Sequence, residues 1–162
     1  MTTPSTSSIP VRLDFETLVP SVSRAVNHLD NAVTQQLDAA EIDHRLRELV
    51  RIRASQINGC AYCVDMHTKD ARAVGETEQR IYALPVWRET PFFSARERAA
   101  LGFTESLTRL AETRVPAADF DDLATEFASE EIAALLGLIL VINAWNAIGV
   151  ATRAWEPGSY QP

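Results

Sequence analysis

The spacing of apolar residues limits this chain to helical folds. No stretch alternates apolar and polar residues with the period of two that a half-buried strand requires. Near the start, apolar residues instead recur at steps of three and four: Leu18, Val22, Val26, Leu29, Val33 and Leu37. This is the period of an amphipathic helix and predicts a first helix over residues 16–36. We therefore predict an all-α fold, a single-domain bundle of about six to seven helices.

Capping signals place the next two helices. We expect the second helix to be N-capped by Asp38 with Glu41 and to end at the Asn-Gly break at 58–59. No Gly or Pro then occurs between Cys60 and Gly75, and a glycine favours a left-handed C-terminal cap. The sequence therefore predicts a third helix that opens at Cys60.

The second half of the chain carries its own boundary signals. Pro85 should stop a short fourth helix, and Ser94 with Glu97 forms a capping box for a fifth. One more helix is expected after Pro116. Ser129, which precedes two glutamates, is expected to provide the oxygen cap of the last helix.

Residues 132–142 form an unbroken run of apolar residues and glycine, IAALLGLILVI. This run is too short to span a bilayer and is bounded by polar residues, so it predicts a buried core helix and not a membrane segment. A helix that is hydrophobic all round needs more neighbours than a small monomer supplies, so we expect its outer face to pack in a homo-oligomer.

The length of 162 residues suits one domain with its own core. We assign residues 1–14 to a flexible N-terminal segment and residues 15–158 to the helical domain. The first ten residues, MTTPSTSSIP, lack the basic region and apolar stretch of a signal peptide, so we expect a cytoplasmic protein whose cysteines are reduced by default.

The net charge of −7 argues against a nucleic-acid partner, because binding to phosphates requires clustered cations. The apolar run at 132–142 is too short to span a membrane, so we expect neither nucleic acid nor a membrane as a partner.

Cys60, Cys63 and His67 stand at i, i+3 and i+7 of the third helix, so all three side chains share one face. A thiol reacts as its thiolate, and a nearby imidazole lowers the pKa of a thiol. His67 lies one turn beyond Cys63 and can take its proton, which selects Cys63 as the attacking thiol. Attack on a peroxide would give a sulfenic acid that Cys60 could resolve into a disulfide.

An imidazole that acts as a base needs an acceptor to orient it. Glu48 lies on the preceding helix and reaches the histidine if helices two and three pack as a hairpin. Spacing alone does not single it out, because other carboxylates lie nearby in the sequence: Glu41, Asp43, Asp65 and Asp70.

Residues 48–72 read ELVRIRASQINGCAYCVDMHTKDAR and resemble the alkylhydroperoxidase D-like group of the carboxymuconolactone decarboxylase superfamily. The group's motif is a glutamate, eleven residues and then CxxCxxxH, which Glu48, Cys60, Cys63 and His67 match position by position. The later segments RERAALGFTESLT and INAWNAIG also look like this family, so the resemblance covers most of residues 40–150.

The resemblance implies an alkylhydroperoxidase D-like helical domain over residues 15–158, no cofactor, and trimers or hexamers with the site near a subunit interface. It also implies that the second cysteine is peroxidatic, and that a dihydrolipoyl or thioredoxin-type thiol restores the pair. The sequence departs from the best-studied members at Tyr62, where they place a second histidine. The phenol of Tyr62 could donate a hydrogen bond to the peroxide.

These residues predict a CxxC thiol peroxidase acting on alkyl hydroperoxides or hydrogen peroxide. Other functions remain open: a lactone decarboxylase, as the superfamily name suggests, or a redox sensor that forms the disulfide without rapid turnover. The cysteines could also be small buried hydrophobes, or could bind zinc together with the histidine and glutamate.

Overall fold

The computed structural model describes residues 9–162, and the regular structure of that range is entirely helical. It contains nine α-helices and one 3-10 helix: α1 Phe15–Leu18, α2 Pro20–Ala39, α3 His44–Asn58, α4 Ala61–Ala73, α5 Glu78–Ala83, the 3-10 helix Leu84–Glu89, α6 Ala95–Thr108, α7 Leu110–Thr113, α8 Ala117–Glu126 and α9 Ser129–Thr152. The predicted all-α, single-domain fold is confirmed for these residues.

Two short helices, α1 and α7, account for the difference between the nine α-helices of the described residues and the six to seven predicted. The predicted first helix is divided between α1 and α2, because Pro20 occupies the first turn of α2, where its missing N–H is not needed. The N–H of Val19 still donates to the carbonyl of Phe15 and closes α1. α7 is a four-residue turn that follows α6 after Arg109.

The predicted start of the second long helix at Asp38 is wrong. α2 continues to Ala39, and α3 begins only at His44, because Asp43 provides the cap. Its carboxylate accepts from the N–H groups of Arg45 and Leu46 at 2.8 and 3.4 Å. Glu41, the expected capping partner, lies in the intervening loop with a φ of 51°.

The two other capping predictions have different outcomes. The capping box of α6 is confirmed: Ser94 Oγ accepts from the N–H of Glu97, whose carboxylate accepts from the N–H of Ser94. The oxygen cap at Ser129 is wrong, because Ser129 is already the first residue of α9. The carboxylate of Glu131 accepts instead from the N–H of Ala128, at 2.7 Å.

α9 is the central helix of the core and packs against α2, α3 and α6. The predicted apolar run is part of this 24-residue helix, which is long and apolar enough to cross a membrane by length and composition. Leu138 and Ile142 on one face are fully buried, whereas Leu140 on the opposite face is 53% exposed. The buried face identifies α9 as a core helix, and its exposed face is the one for which we predict subunit packing.

α3 and α4 form the hairpin that the site requires. The Asn-Gly break ends α3 as predicted, with Gly59 in the left-handed conformation at φ 73°. The N–H of Cys60 donates to the carbonyl of Ser55 at 3.0 Å and completes the turn. The short connection makes the two helices antiparallel neighbours, so residues near the start of α3 face the middle of α4.

Residues 12–13 and the C-terminal residues of the chain contact the helical domain. Residues 1–8 of the predicted flexible segment fall outside the described residues. Further along that segment, the N–H groups of Arg12 and Leu13 donate to the carbonyl of Thr152, at the end of α9. At the other end, the chain beyond residue 158 also contacts the domain, because the carbonyl of Tyr160 accepts from Lys69 on α4.

Candidate active site

Cys60 and Cys63 lie at the start of α4 and are joined as a disulfide, with Cα atoms 5.3 Å apart. Cys60 is the N-cap residue, and its Sγ accepts from the N–H of Cys63 at 3.3 Å. Both residues are buried, at 2% and 4% exposure. The left-handed turn at Gly59 and the N-terminus of α4 thus place the two sulfurs within bonding distance.

His67 lies one turn beyond Cys63 and bonds directly to Glu48. Its Nδ1 is 2.9 Å from Oε2 of Glu48, and both side chains are buried. An ionised carboxylate can only accept hydrogen bonds, so Nδ1 donates in this pair, and in the neutral ring Nε2 is then the nitrogen that accepts a proton. The α3–α4 hairpin therefore fixes the orientation of the imidazole, with Glu48 as its hydrogen-bond acceptor.

His67 and Arg51 together keep the buried Glu48 in its ionised form. Its Oε1 accepts from Arg51, one turn along α3, at 2.5 Å. Burial acts to raise the pKa of Glu48, but the hydrogen bond from His67 and the charge of Arg51 outweigh it and hold the pKa below its ordinary value. The carboxylate thus remains ionised at neutral pH, despite its burial.

The neighbouring carboxylates that spacing alone could not separate from Glu48 have other contacts. Asp43 caps α3, and Asp65 accepts from Lys69 at 2.9 Å. Asp70 lies near the histidine, with Oδ2 3.9 Å from Nδ1 of His67. Glu48 is thus the carboxylate in hydrogen-bonding contact with His67, and Asp70 is a more distant second one.

A polar network fixes the turn that precedes the cysteines to α9. Nδ2 of Asn58 donates to Oδ1 of Asn143 at 2.6 Å and to Oδ1 of Asn146 at 2.9 Å. Asn146 in turn donates to Oγ of Ser55 at 3.0 Å. Sequence reasoning did not assign these residues to the site, although two asparagines directly after an apolar run are a signal for a buried polar contact.

Gly149 lets the backbone of α9 approach the redox pair closely. A Cβ atom at this position would lie 3.0 Å from Sγ of Cys60 and 3.2 Å from the indole of Trp155. Any larger residue would have to displace one of these neighbours. The contact explains why position 149 of α9 is a glycine.

Tyr62, between the cysteines, packs against the end of the chain. Its ring centroid lies 5.6 Å from that of Trp155, which also contacts Trp145 at 5.8 Å. Burial, followed by the negative charge of Asp65, raises the pKa of Tyr62, so the phenol is neutral at physiological pH. The expectation that this phenol hydrogen-bonds a peroxide stays a prediction.

Tyr160 reaches the site from the C-terminal end of the chain, and sequence reasoning missed it. Its hydroxyl donates to Oδ1 of Asp70 at 2.7 Å. This hydrogen bond, with burial and the charge of Asp70, raises the pKa of Tyr160 to about 12. No pattern in the tail's sequence marks the residue, because the contact joins positions 90 residues apart.

The predicted site residues offer limited scope for a metal ion. Zinc ligation by the cysteines requires thiolates, and the two sulfurs are bonded to each other. Ligand atoms of Glu48, His67 and Asp70 lie within 4.8 Å of one another. The two carboxylates, however, already accept hydrogen bonds from Arg51 and Tyr160, so neither requires a cation to be satisfied.

Comparison with known proteins relates the whole arrangement to one family. A family model described as the carboxymuconolactone decarboxylase family matches residues 20–106, a range that includes both cysteines, His67 and Glu48. The uncharacterized protein YdfG of Bacillus subtilis is 39% identical over 140 residues, which cover 86% of this chain and 92% of YdfG.

Solved structures share the fold. A protein of unknown function from Agrobacterium tumefaciens, provisionally named as the antioxidant defence protein AhpD, is 40% identical, covers 91% of this chain and 99% of its own, and gives a TM-score of 0.84. An uncharacterized peroxidase-related protein from Ralstonia eutropha, described as an alkylhydroperoxidase AhpD core, is 20% identical with a TM-score of 0.75. That match covers 88% of this chain and 74% of the other.

Proposed function

The chain belongs to the carboxymuconolactone decarboxylase family as an AhpD-like member, and from that premise we propose that it is a cofactor-free CxxC thiol peroxidase. The observation that carries the proposal is the Cys60–Cys63 disulfide on the same helix as a buried histidine whose Nδ1 is held by Glu48. Its substrates are alkyl hydroperoxides or hydrogen peroxide. Two adjacent thiols and an oriented base are the groups that this reaction needs.

The first step oxidises Cys63. Nε2 of His67 takes the thiol proton, and the thiolate attacks the terminal oxygen of the peroxide. A sulfur–oxygen bond forms as the oxygen–oxygen bond breaks, and the leaving alkoxide takes the proton back from the imidazolium. The products are a Cys63 sulfenic acid and an alcohol, or water when the substrate is hydrogen peroxide.

The second step closes the disulfide. The sulfur of Cys60 attacks that of Cys63, the sulfur–oxygen bond breaks, and the hydroxide leaves as water with the proton of Cys60. Two thiols of a reductant then supply two electrons and two protons to restore the dithiol. We propose a dihydrolipoyl or thioredoxin-type donor as the reductant, and a cytoplasmic homo-oligomer, a trimer or hexamer, as the working form.

The two sulfurs receive different support, which favours this division of roles. The N–H of Cys63 donates to Sγ of Cys60, so the N-terminus of α4 stabilises negative charge on the first cysteine. The His67–Glu48 pair lies one turn beyond the second cysteine. Cys60 is then suited to resolve the sulfenic acid and to act as the leaving thiolate during reduction, and Cys63 to attack.

Single cysteine variants test the proposal. With tert-butyl hydroperoxide as substrate and dithiothreitol as reductant, Cys63→Ser should abolish peroxide consumption. Cys60→Ser that has been reduced and then freed of dithiothreitol should consume one equivalent of peroxide and stop as a sulfenic acid, which dimedone traps for mass spectrometry. Reaction of Cys63→Ser together with an inert Cys60→Ser would reverse the two roles, and failure of the wild type to consume peroxide would contradict the proposal.

A further inference from the structure

The C-terminal strap, residues 153–162, runs along α4. Near its middle, the N–H of Gly158 donates to the carboxylate of Asp65 at 2.9 Å. Two residues later, the carbonyl of Tyr160 accepts from Lys69 at 2.8 Å, and its hydroxyl donates to Asp70 at 2.7 Å. Later residues of the strap contact later residues of α4, so the strap runs parallel to α4. Its last contacts, at Lys69 and Asp70, lie beside the site.

The last of these contacts connects the strap to the base. Oδ1 of Asp70 accepts from Tyr160, and Oδ2 of the same carboxylate lies 3.9 Å from Nδ1 of His67. The same nitrogen of His67 bonds to Oε2 of Glu48 at 2.9 Å. The strap therefore holds Asp70 as a second carboxylate facing the nitrogen of His67 that Glu48 binds.

We propose that Tyr160 is a positioning residue that acts through Asp70. Its hydroxyl holds the carboxylate with the second oxygen facing His67, and the negative charge in that place supports the imidazolium formed when His67 takes the proton of Cys63. The inference rests on the proposed function, because it gives the strap a part in forming the Cys63 thiolate.

Exposure of Asp70 makes a tether necessary. Its side chain is 23% exposed, so a free carboxylate could rotate into water, where charges are better solvated. Within the described residues, Tyr160 is the side chain that donates a hydrogen bond to it. The high pKa of Tyr160, about 12, keeps the hydroxyl protonated and able to donate throughout the physiological range.

The other charged groups around His67 are already engaged. From α3, Glu48 faces the ring and is bonded to Arg51. From α4, Asp65 is bonded to Lys69. Asp70 is therefore the carboxylate within 3.9 Å of Nδ1 that a side chain of the strap holds, and its loss should not be compensated by these neighbours.

Alkylation of Cys63 by iodoacetamide across pH tests the inference in a Cys60→Ser background. Tyr160→Phe should move the midpoint of the alkylation rate upward by roughly half a pH unit, which is about threefold slower alkylation on the rising limb. Asp70→Asn should move it further in the same direction. Adding Tyr160→Phe to Asp70→Asn should then cause no further shift, because the tether acts through the carboxylate.

Tyr82→Phe is the matched control. Tyr82 also donates to a carboxylate, that of Glu78 at 3.3 Å, but it is exposed and lies on α5, away from the cysteines. A midpoint for Tyr160→Phe equal to that of this control would overturn the inference, as would an undiminished shift in the Asp70→Asn background. Because the assay contains no peroxide, this result is separate from failure of the protein to act as a peroxidase.

Discussion

Glu48 is a buried carboxylate that stays charged because two partners share it. Arg51 binds one oxygen and His67 the other, and together they lower its pKa although burial opposes the charge. A group whose pKa is lower in the folded than in the unfolded state adds stability above its unfolded value. That contribution is lost as the pH falls through the lower, folded value.

The charge of Glu48 should also set the pH at which Cys63 reacts. Glu48→Gln keeps the shape of the side chain but removes the negative charge beside the imidazolium. We expect peroxide reduction at neutral pH to fall about tenfold, with its rising limb moved to higher pH, since a nearby charge shifts a titration by about one unit or more. Stopped-flow measurement of the first turnover across pH checks this.

Glu112→Gln serves as the control for that experiment, because Glu112 is an exposed glutamate of α7. It should leave the pH profile in place. A profile of Glu48→Gln that superimposes on this control would remove Glu48 from the site. Such a result would mean that the buried carboxylate of Glu48 has a structural role and does not affect the reactivity of Cys63 through His67.

At the level of elements, the site depends on how closely α9 approaches the start of α4. Asn143 and Asn146 bind the turn before the cysteines, and Gly149 leaves room for Sγ of Cys60. The apolar run correctly indicates that α9 is a core helix, with one face buried, but periodicity carries no information about which neighbour that face contacts. The contacts of the strap were unpredictable for the same reason, because they join distant parts of the sequence.

A methyl group on Gly149 tests the close approach. Gly149→Ala places a Cβ 3.0 Å from Sγ of Cys60 and 3.2 Å from the indole of Trp155, so we expect a loss of about 1–3 kcal/mol from the free energy of unfolding. The matched change Gly102→Ala meets its nearest atom at 3.9 Å and should stabilise α6 by up to about 1 kcal/mol. Urea denaturation of both reduced variants measures the two values.

Equal stability changes for the two alanine variants would show that α9 and the strap move aside without cost. The close approach would then place no constraint on the cysteines. We expect instead that Gly149→Ala lowers the free energy of unfolding and that Gly102→Ala raises it. This result would show that the space beside Sγ of Cys60 admits only a glycine at position 149 without loss of stability.

At the scale of the whole molecule, local signals and long-range contacts differ in how far the sequence predicts them. The all-α fold, the Asn-Gly break and the capping box at Ser94 follow from local chemistry and were predicted. The start of α3 was not, because both Asp38 and Asp43 can cap and only the complete fold selects the second. Glu48 required the resemblance, since five carboxylates near the motif were equivalent by spacing.

The central claim is that Cys60 and Cys63 form a disulfide as the product of peroxide reduction. The most direct measurement adds one equivalent of tert-butyl hydroperoxide to the reduced protein, quenches with iodoacetamide and analyses the peptides by mass spectrometry. We expect an intramolecular Cys60–Cys63 disulfide in an amount equal to the peroxide consumed, and none of it in Cys63→Ser. Peroxide that remains unconsumed while both cysteines are recovered alkylated would contradict the claim.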